Sequence, residues 1–466
     1  MLLKNAKIYS EGLVHNGAIL ITNGCIKEIK FDPDHKDYRI LAKKNKDDKE
    51  IDCKNKLILP GIIDIHSHLR DMGQSEKETF LTGSKAAAYS GITTVFNMPN
   101  TKPPAITGEN VQKWMEKAST HIYVNVGFIA GVPDEINEDE IKKILSLGVI
   151  GFKIYPLNPL NDIDWNNPDN IHKILKISSK YQIPIFFHAA FPISESEKAE
   201  ILNRFEAQKY PILELHDQLN PIKMERKYIE FIIEIYQEHI IKNKLNPLNY
   251  PHVHFCHVSC IEGYKTIQDA LISDKNLKIT FEITPHHLIL SYEIKIKRDT
   301  YGKVLPPLRS SDNRTFLFNQ LTEGNVPLIG TDHAPHTIKE KNQDYFNAPS
   351  GFPGFETYPL ILLHSVFNFK LSLENFVKCS SENPARMFNL KNKGFIKEGY
   401  DADLLIVDKR PQFSINSKNF KTKAKFSPFE NHYSVVQIWK VFLMGNEINN
   451  ENINPVGNII KASYKI

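Results

Sequence analysis

Cysteine is scarce in this sequence, and long apolar runs are missing from it. Five cysteines in 466 residues are too few for a disulfide framework and predict free thiols in a reducing compartment. No run of about 18 apolar residues occurs, and the first residues lack a basic region followed by an apolar one, which argues against a membrane span and a secretory leader. We therefore expect a cytoplasmic protein without a membrane partner.

An excess of charge of one sign is also missing. Lys and Arg number 58 against 54 for Asp and Glu, a net charge of +4, so no nucleic-acid partner is predicted. The 41% of hydrophobic and 24% of charged residues are typical of a globular protein and unlike a disordered chain. The most highly charged stretch, residues 32–52, is predicted to be a solvated loop.

Strand-like apolar runs alternate with amphipathic helical segments from residue 57 to about residue 330. Repeated βα units of this kind predict an α/β fold with a TIM-like (β/α)8 barrel, whose active site lies at the C-terminal ends of the strands. Residues 57–65 are expected to form the first barrel strand. Short strand-like runs also precede and follow the barrel, and neither set alone buries enough surface to be stable. We therefore predict one small composite β-sandwich domain from residues 1–58 and 391–466, with the barrel at residues 59–390.

Two histidines stand one residue apart at the end of the first apolar run. Because side chains alternate along a strand, His66 and His68 share a face and can bind one metal ion. Their position after a Pro-Gly step, at the end of a barrel strand, favours this interpretation over two histidines of the core. Further nitrogen and oxygen donors that suit zinc follow other apolar runs. They are His188, His257 and Asp332, with His252 and His254 as alternatives to His257.

Lys153 ends another apolar run, in the sequence GFKIY. Two metal ions would repel an unmodified lysine at this place. One interpretation is a lysine that reaches solvent or pairs with a carboxylate. The other is a lysine carbamylated by carbon dioxide, which would become a carboxylate ligand between two metal ions. The residues alone leave both interpretations open.

Five segments together match a known family: 64–73 (DIHSHLRDMG), 91–104 (GITTVFNMPNTKPP), 282–288 (EITPHHL), 330–336 (GTDHAPH) and 351–357 (GFPGFET). On these motifs most of the chain resembles the class I dihydroorotases of the cyclic amidohydrolase superfamily. The resemblance implies reversible, zinc-dependent cyclisation of N-carbamoyl-L-aspartate to L-dihydroorotate, a step in the synthesis of UMP. It also implies a small-molecule substrate, and either a homodimer or an association with the enzyme of the preceding step.

The resemblance implies specific roles for the candidate residues, with Asp332 as the catalytic acid and base. Arg70, whose planar guanidinium can bind a carboxylate through two hydrogen bonds, favours an acidic substrate. Two zinc ions are implied, bridged by carbamylated Lys153 and a hydroxide. One ion is assigned to His66, His68 and Asp332, the other to His188 and His257, and the substrate to Arg70, Asn100 and His336.

Three positions depart from the family pattern. Met72 stands where proline is usual, Ala190 where glutamate is usual, and Leu305 where many bacterial members have an asparagine that contacts substrate. None of these changes removes a predicted metal ligand. The alternatives are an allantoinase- or hydantoinase-type enzyme, a zinc-dependent deaminase on a similar barrel, and a non-catalytic scaffold. Arg70 disfavours an allantoinase- or hydantoinase-type enzyme, and Lys153 disfavours a deaminase. A non-catalytic scaffold is disfavoured because every predicted ligand position is filled.

Overall fold

The computed structural model describes residues 1–45 and 49–465. Its strands, in chain order, are β1 (Leu2–Ser10), β2 (Leu13–Thr22), β3 (Cys25–Phe31), β4 (Glu50–Asp52), β5 (Leu57–Pro60), β6 (Ile62–Ser67), β7 (Ile92–Asn97), β8 (Asn125–Gly131), β9 (Gly151–Ile154), β10 (Pro184–Phe187), β11 (His252–Phe255), β12 (Ile279–Ile283), β13 (Leu328–Ile329), β14 (Leu404–Ser414), β15 (Tyr433–Leu443), β16 (Asn446–Glu447) and β17 (Ile459–Ile460).

The α-helices lie mostly between the strands of the central part of the chain. They are α1 (His35–Lys44), α2 (Phe80–Tyr89), α3 (Gly108–Ala118), α4 (Glu138–Ser146), α5 (Pro168–Tyr181), α6 (Glu195–Gln208), α7 (Ile212–Leu219), α8 (Ile222–Asn243), α9 (Ile261–Ser273), α10 (Pro285–Ile289), α11 (Asp299–Gly302), α12 (Ser311–Thr322), α13 (Ile338–Lys341), α14 (Tyr358–Phe367), α15 (Leu373–Val377) and α16 (Asn383–Met387). A π-helical turn, Lys378–Glu382, joins α15 to α16.

Strands β6 to β13 form a parallel barrel in which sequence neighbours are also spatial neighbours. A parallel bridge between Ser67 and His333 links the last strand region back to the first. The strands are buried on both faces, which produces the continuous apolar runs of the sequence. On the outside, α3 packs against β8, where the rings of Trp114 and Phe128 meet edge to face with centroids 4.5 Å apart. The TIM-like barrel predicted from the sequence is thereby confirmed.

The strands of the two chain ends form a second sheet, in the order β16-β15-β14-β5-β1-β2-β3, with β4 beside β1. The joint between the two ends is the antiparallel pair β5–β14, from Leu404 opposite Pro60 to Val407 opposite Leu57. This confirms the additional β domain built from both ends. The domain limits 1–58, 59–390 and 391–466 stay a prediction, and β17 pairs with barrel strand β8.

Residues 57–65 do not form one strand, contrary to the prediction. The run breaks at Gly61, so that β5 belongs to the composite sheet and β6 to the barrel. A Cβ atom at Gly61 would lie 2.3 Å from Thr93 Oγ1, so only glycine allows the backbone this close to β7. The same apolar run therefore connects the two domains.

The loop prediction for residues 32–52 is also wrong where the structure describes them. Helix α1 forms because the Asp34 side chain accepts hydrogen bonds from the backbone N–H groups of Lys36 and Asp37. Leu41 is fully buried and packs with Leu2 and Leu20. One buried leucine in a charged helix gives a weak periodic signal, which explains the error. Residues 46–48 lie outside the described residues.

The segment between β10 and β11 is longer than one barrel unit requires and forms α6, α7 and α8. Arg309, which is almost completely buried, ties this segment to the barrel. Its guanidinium donates to Asp217 of α7 at 2.5 Å and to Glu225 of α8 at 3.0 Å. Among the described helices, none is long and apolar enough to cross a membrane.

Candidate active site

The C-terminal ends of the barrel strands bring together the residues predicted to bind metal. His188 is half-buried and the others are buried, in agreement with a site recessed in the barrel mouth. His66 lies in β6, His68 directly after it, Lys153 in β9, His188 directly after β10, His257 two residues after β11, and Asp332 three residues after β13.

Asp332 faces the first histidine pair. Its Oδ1 atom lies 3.0 Å from His68 Nε2 and 3.5 Å from His66 Nε2. Burial alone would raise the pKa of the Asp332 carboxyl, but the two imidazoles hold it below its ordinary value. Burial lowers the pKa of His68 to about 4, so at neutral pH this imidazole is uncharged and can bind a metal ion through a ring nitrogen.

His188 and His257 form a second pair next to the first. His188 Nδ1 lies 3.0 Å from His257 Nε2. The ring of His257 also lies near that of His66, with the two centroids 5.2 Å apart. Burial, followed by the charge of Lys153, lowers the pKa of His188 to about 3. Burial also places the pKa of His257 well below its usual range. Both imidazoles are therefore neutral, which is the form that metal ions bind.

Lys153 is buried to 98% of its surface and does not reach solvent. Its Nζ atom donates to Cys256 Sγ at 2.7 Å and lies 5.1 Å from the centre of the Tyr155 ring. Within the described residues no carboxylate pairs with it. Lys153 is therefore neither a lysine that reaches solvent nor one that pairs with a described carboxylate.

Two buried carboxylates hold the histidines in place. Both lie in segments that match the family, but the sequence analysis gave them no role. Glu282, at the end of β12, accepts hydrogen bonds from His66 Nδ1, from His254 Nε2 at 3.2 Å and from the backbone N–H of His257 at 3.2 Å. Burial alone would raise the pKa of Glu282, but His66 and His254 hold it below its ordinary value. The signal in the sequence was a carboxylate inside the apolar run ITFEI.

Asp64 is the second such carboxylate. Its Oδ1 atom accepts from the backbone N–H groups of His66 at 3.2 Å and Thr331 at 2.9 Å. Asp64 thereby fastens the strand of His66 to the segment that carries Asp332. Burial raises the pKa of Asp64 to about 7.

The three residues predicted to bind substrate lie at one rim of the site. Arg70 Nη2 is 3.2 Å from His336 Nε2, and Arg70 Nε donates to the carbonyl of Pro335. No carboxylate in the described residues forms an ion pair with Arg70, and Asp71 instead accepts from Ser75 Oγ at 2.8 Å. Asn100 Oδ1 accepts from His68 Nδ1 at 2.7 Å, so Asn100 orients a predicted metal ligand.

The structure shows the surroundings of the three residues that depart from the family pattern, Met72, Ala190 and Leu305. Arg70, Asp71 and Met72 have φ angles of 56°, 49° and 40°, a left-handed run. Proline cannot adopt such an angle because its ring fixes φ near −65°, so proline is excluded at position 72 in this loop. Ala190 and Leu305 line one cleft beside His188, which Asn220, Glu225 and Arg309 also line. At both positions this wall of the site lacks a polar side chain.

Comparison with known proteins assigns the family. A model of the amidohydrolase family matches residues 57–440, which is most of the chain. The chain belongs to the amidohydrolase family. A curated dihydroorotase from Methanosphaera stadtmanae is 34% identical over 454 residues, covering 97% of both chains. Another from Pyrococcus abyssi is 33% identical over 437 residues, covering 93% of this chain and 90% of its own.

Solved structures of family members have the same fold. An L-hydantoinase (dihydropyrimidinase) from Arthrobacter aurescens matches with a TM-score of 0.83, 24% identity and 99% coverage of both chains. A dihydropyrimidinase from Brevibacillus agri matches with a TM-score of 0.81, 23% identity, and coverage of 99% and 98%. The barrel and the additional β domain are therefore shared along the whole chain.

The donor set suits metal ions, on which enzymes of the amidohydrolase family typically depend. Ligand atoms of His66, His68 and Asp332 all lie within 4.8 Å of one another. His257 Nδ1 is buried and has no hydrogen-bond partner among the residues that the structure describes, which is costly unless another group binds it. Zinc prefers neutral imidazoles and an ionised carboxylate as ligands. His68, His188 and His257 already have the neutral form. Burial alone would lower the pKa of His66, but the charge of Glu282 raises it to about 10, so a metal ion must displace a proton from this ring.

Proposed function

We propose that this protein is a dihydroorotase that interconverts L-dihydroorotate and N-carbamoyl-L-aspartate. The curated relatives named above support this activity. The observation that carries it is the Arg70 guanidinium, which lies beside the histidine cluster formed by His66, His68, His188 and His257. Among the described residues no carboxylate forms an ion pair with it. A planar guanidinium binds a carboxylate through two parallel hydrogen bonds, and dihydroorotate carries a free carboxylate that uncharged cyclic amides lack.

In this proposal the histidine cluster holds two zinc ions. Bound zinc supplies a nucleophile from water near neutral pH and withdraws charge from a carbonyl oxygen, which is what ring opening requires. The Lys153 amine would attack carbon dioxide to form an N–C bond and release a proton. The product is a carbamate, whose negative charge would attract the metal ions where an ammonium would repel them. The proposed ligands are His66, His68 and Asp332 for one ion, His188 and His257 for the other, and carbamylated Lys153 for both.

Asp332 is the proposed acid and base. The neighbouring imidazoles keep its pKa low, so its carboxylate is ionised and ready to take a proton. In the direction of hydrolysis Asp332 takes the proton of the attacking group and returns it to the departing ring nitrogen. In the reverse direction Asp332 takes the proton from the nitrogen of N-carbamoyl-aspartate that attacks the side-chain carboxyl carbon. It then returns the proton to the carboxyl oxygen, which leaves as the C–O bond breaks.

Arg70, with His336 beside it, binds the substrate carboxylate at the rim of the site. Asn100 contributes at the same rim and keeps His68 oriented through their hydrogen bond. Because the wall formed by Ala190 and Leu305 is apolar, recognition of the substrate depends on the Arg70 side. We also propose a cytoplasmic enzyme that acts as a homodimer or with the enzyme that produces N-carbamoyl-aspartate.

The test is ring opening by zinc-loaded protein, followed in the ultraviolet. Dihydroorotate is the substrate, and allantoin and dihydrouracil are the controls. Turnover of dihydroorotate alone is expected. Asp332→Ala should lower kcat by about 10²- to 10⁴-fold, the usual contribution of general acid and base catalysis, whereas Asp139→Ala on the exposed face of α4 should not change it. Turnover of a control substrate in place of dihydroorotate would refute the carboxylate assignment, and no turnover with zinc bound would favour a scaffold.

A further inference from the structure

Lys341, at the end of α13, has a side chain that is completely buried. Its Nζ atom donates to the carbonyl oxygens of Pro349 at 2.8 Å, Gly351 at 2.9 Å and Lys303 at 3.3 Å. An ammonium has three N–H donors, so these three carbonyls satisfy it completely. Lys341 thus closes the segment 341–351 into a loop whose two ends are held by one atom.

No carboxylate neutralises this ammonium within the described parts of the chain. The adjacent Glu340 turns to Lys77 at 2.9 Å and to Thr337, and the ring of Phe426 lies 5.7 Å from Lys341 Nζ. Burial, then the ammonium of Lys303, lowers the pKa of Lys341 to about 7. A buried charge with only neutral partners does not stabilise the fold. The structural effect of Lys341 is instead to fix the carbonyls that it contacts.

A second lysine fixes the middle of the same loop. Lys303 Nζ donates to the carbonyls of Tyr345 at 2.7 Å and Ala348 at 2.6 Å. The backbone is joined as well, because the N–H of Gly351 donates to the carbonyl of Lys303 at 2.9 Å. The loop is therefore held by a network of lysines and carbonyls.

The loop determines the position of His336. The carbonyl of Ser350, between the two that Lys341 holds, lies 3.0 Å from His336 Nε2. Lys77 Nζ lies 3.3 Å from His336 Nδ1, so both ring nitrogens have polar neighbours that limit how the ring can turn. Gly351 also packs tightly here, since a Cβ atom on it would lie 3.3 Å from His336 Cδ2. A shift of residues 349–351 would therefore move His336 away from Arg70.

We propose that Lys341 is a positioning residue for the carboxylate-binding rim of the active site. By holding the carbonyls of Pro349 and Gly351, it keeps Ser350 against His336 and His336 beside Arg70. That the bound group is the carboxylate of dihydroorotate rests on the proposed function. That Lys341 holds the loop of residues 341–351 in place does not. Lys341 itself does not touch the substrate in this proposal.

The test compares Lys341→Met, which keeps the length of the side chain but removes every donor, with Lys341→Gln, which keeps two donors. The matched control is Lys339→Met, an exposed lysine of the same short helix. Three quantities are measured for the zinc-loaded protein: KM and kcat for dihydroorotate, zinc content, and amide hydrogen exchange of residues 342–351.

Lys341→Met is expected to raise KM about tenfold with kcat changed less than about threefold, because uniform substrate binding is lost while the reacting groups stay in place. Amide exchange of residues 342–351 should become faster, and zinc content should not change. Lys341→Gln should lie between wild type and Lys341→Met, and Lys339→Met should match wild type.

Equal KM and equal exchange in Lys341→Met and Lys339→Met would overturn the proposal. A fall in kcat with unchanged KM would overturn it too, since that result would place Lys341 in the chemical step. If Lys341→Met does not fold, Lys341→Gln decides by the same measures. If wild type does not open dihydroorotate, the proposed function fails, and the exchange of residues 342–351 alone decides whether Lys341 controls the loop.

Discussion

Replacement of Glu282 by glutamine should weaken metal binding without disturbing the fold. Glu282 Oε1 accepts from His66 Nδ1 and from the backbone of His257, and Oε2 accepts from His254 Nε2. Glutamine has nearly the same shape, and its oxygen can still accept from His66 and His257. The NH2 group of the glutamine would then face His254 Nε2. Nε2 can accept this hydrogen bond if the ring proton moves to Nδ1, which still contacts Thr280 Oγ1.

What the variant loses is the negative charge behind His66. A carboxylate hydrogen-bonded to a ligating imidazole raises the basicity of the ring and fixes its tautomer, and loss of such a partner typically costs 10- to 100-fold in metal affinity. That range corresponds to about 1.4 to 2.7 kcal/mol of binding free energy. Glu282 contacts the ring of His66 but only the backbone of His257. We therefore expect the loss to come from His66 and to fall within this range.

The assay is zinc content by mass spectrometry after equilibration with a series of buffered free zinc concentrations. Circular dichroism checks that the variant is folded. Glu356→Gln is the matched control, because Glu356 accepts from the backbone N–H groups of Lys421 and Thr422. Zinc affinity in Glu282→Gln within twofold of wild type would refute the reasoning.

Three further predictions concern other parts of the molecule. Arg70→Lys should raise KM for dihydroorotate at least about tenfold at unchanged zinc content, because an ammonium cannot form the two parallel hydrogen bonds of a guanidinium; an unchanged KM in steady-state kinetics would contradict this. The pKa of Lys341 is lowered from 10.5 to about 7 in the folded protein. Between these two pH values the unfolded chain keeps a proton on Lys341 that the folded chain has lost. The difference in unfolding free energy between wild type and Lys341→Met should therefore grow in favour of wild type from pH 7 to pH 10, by up to about 1.4 kcal/mol per pH unit. Parallel curves of unfolding free energy against pH for the two proteins would exclude the lowered pKa of Lys341. Trp114→Ala should lower the unfolding free energy in chemical denaturation by about 3–5 kcal/mol, against less than about 0.5 kcal/mol for Leu81→Ala at a partly exposed site.

The barrel could be predicted from the sequence because its strands leave a simple signal. A strand such as Asn125–Gly131 is buried on both faces, so it appears as an unbroken apolar run between helical segments. Two features lacked such a signal. Helix α1 buries little besides Leu41, and the break at Gly61 depends on Thr93 in the neighbouring strand, which local pattern does not reveal.

The sequence allowed prediction of those candidate site residues that lie at the ends of strands. His66, His68 and Asp332 follow apolar runs and meet because barrel strands end on one face. The supporting contacts could not be predicted in the same way. Glu282 lies 216 positions from His66, and Cys256 lies 103 positions from Lys153, so only the closed barrel brings them together. The assigned roles of the candidate residues stay predictions until the variants are measured.

The pairing of β5 with β14 has a consequence for the order of events on the ribosome. Roughly 340 residues separate Pro60 from Leu404, which takes about 20 to 70 s to translate at the usual rates of 5–20 residues per second. During that time β5 has no β14 beside it, and an unpaired strand edge attracts other chains. The nascent protein should therefore depend on chaperones, and overexpression should produce aggregates that begin at residues 57–60.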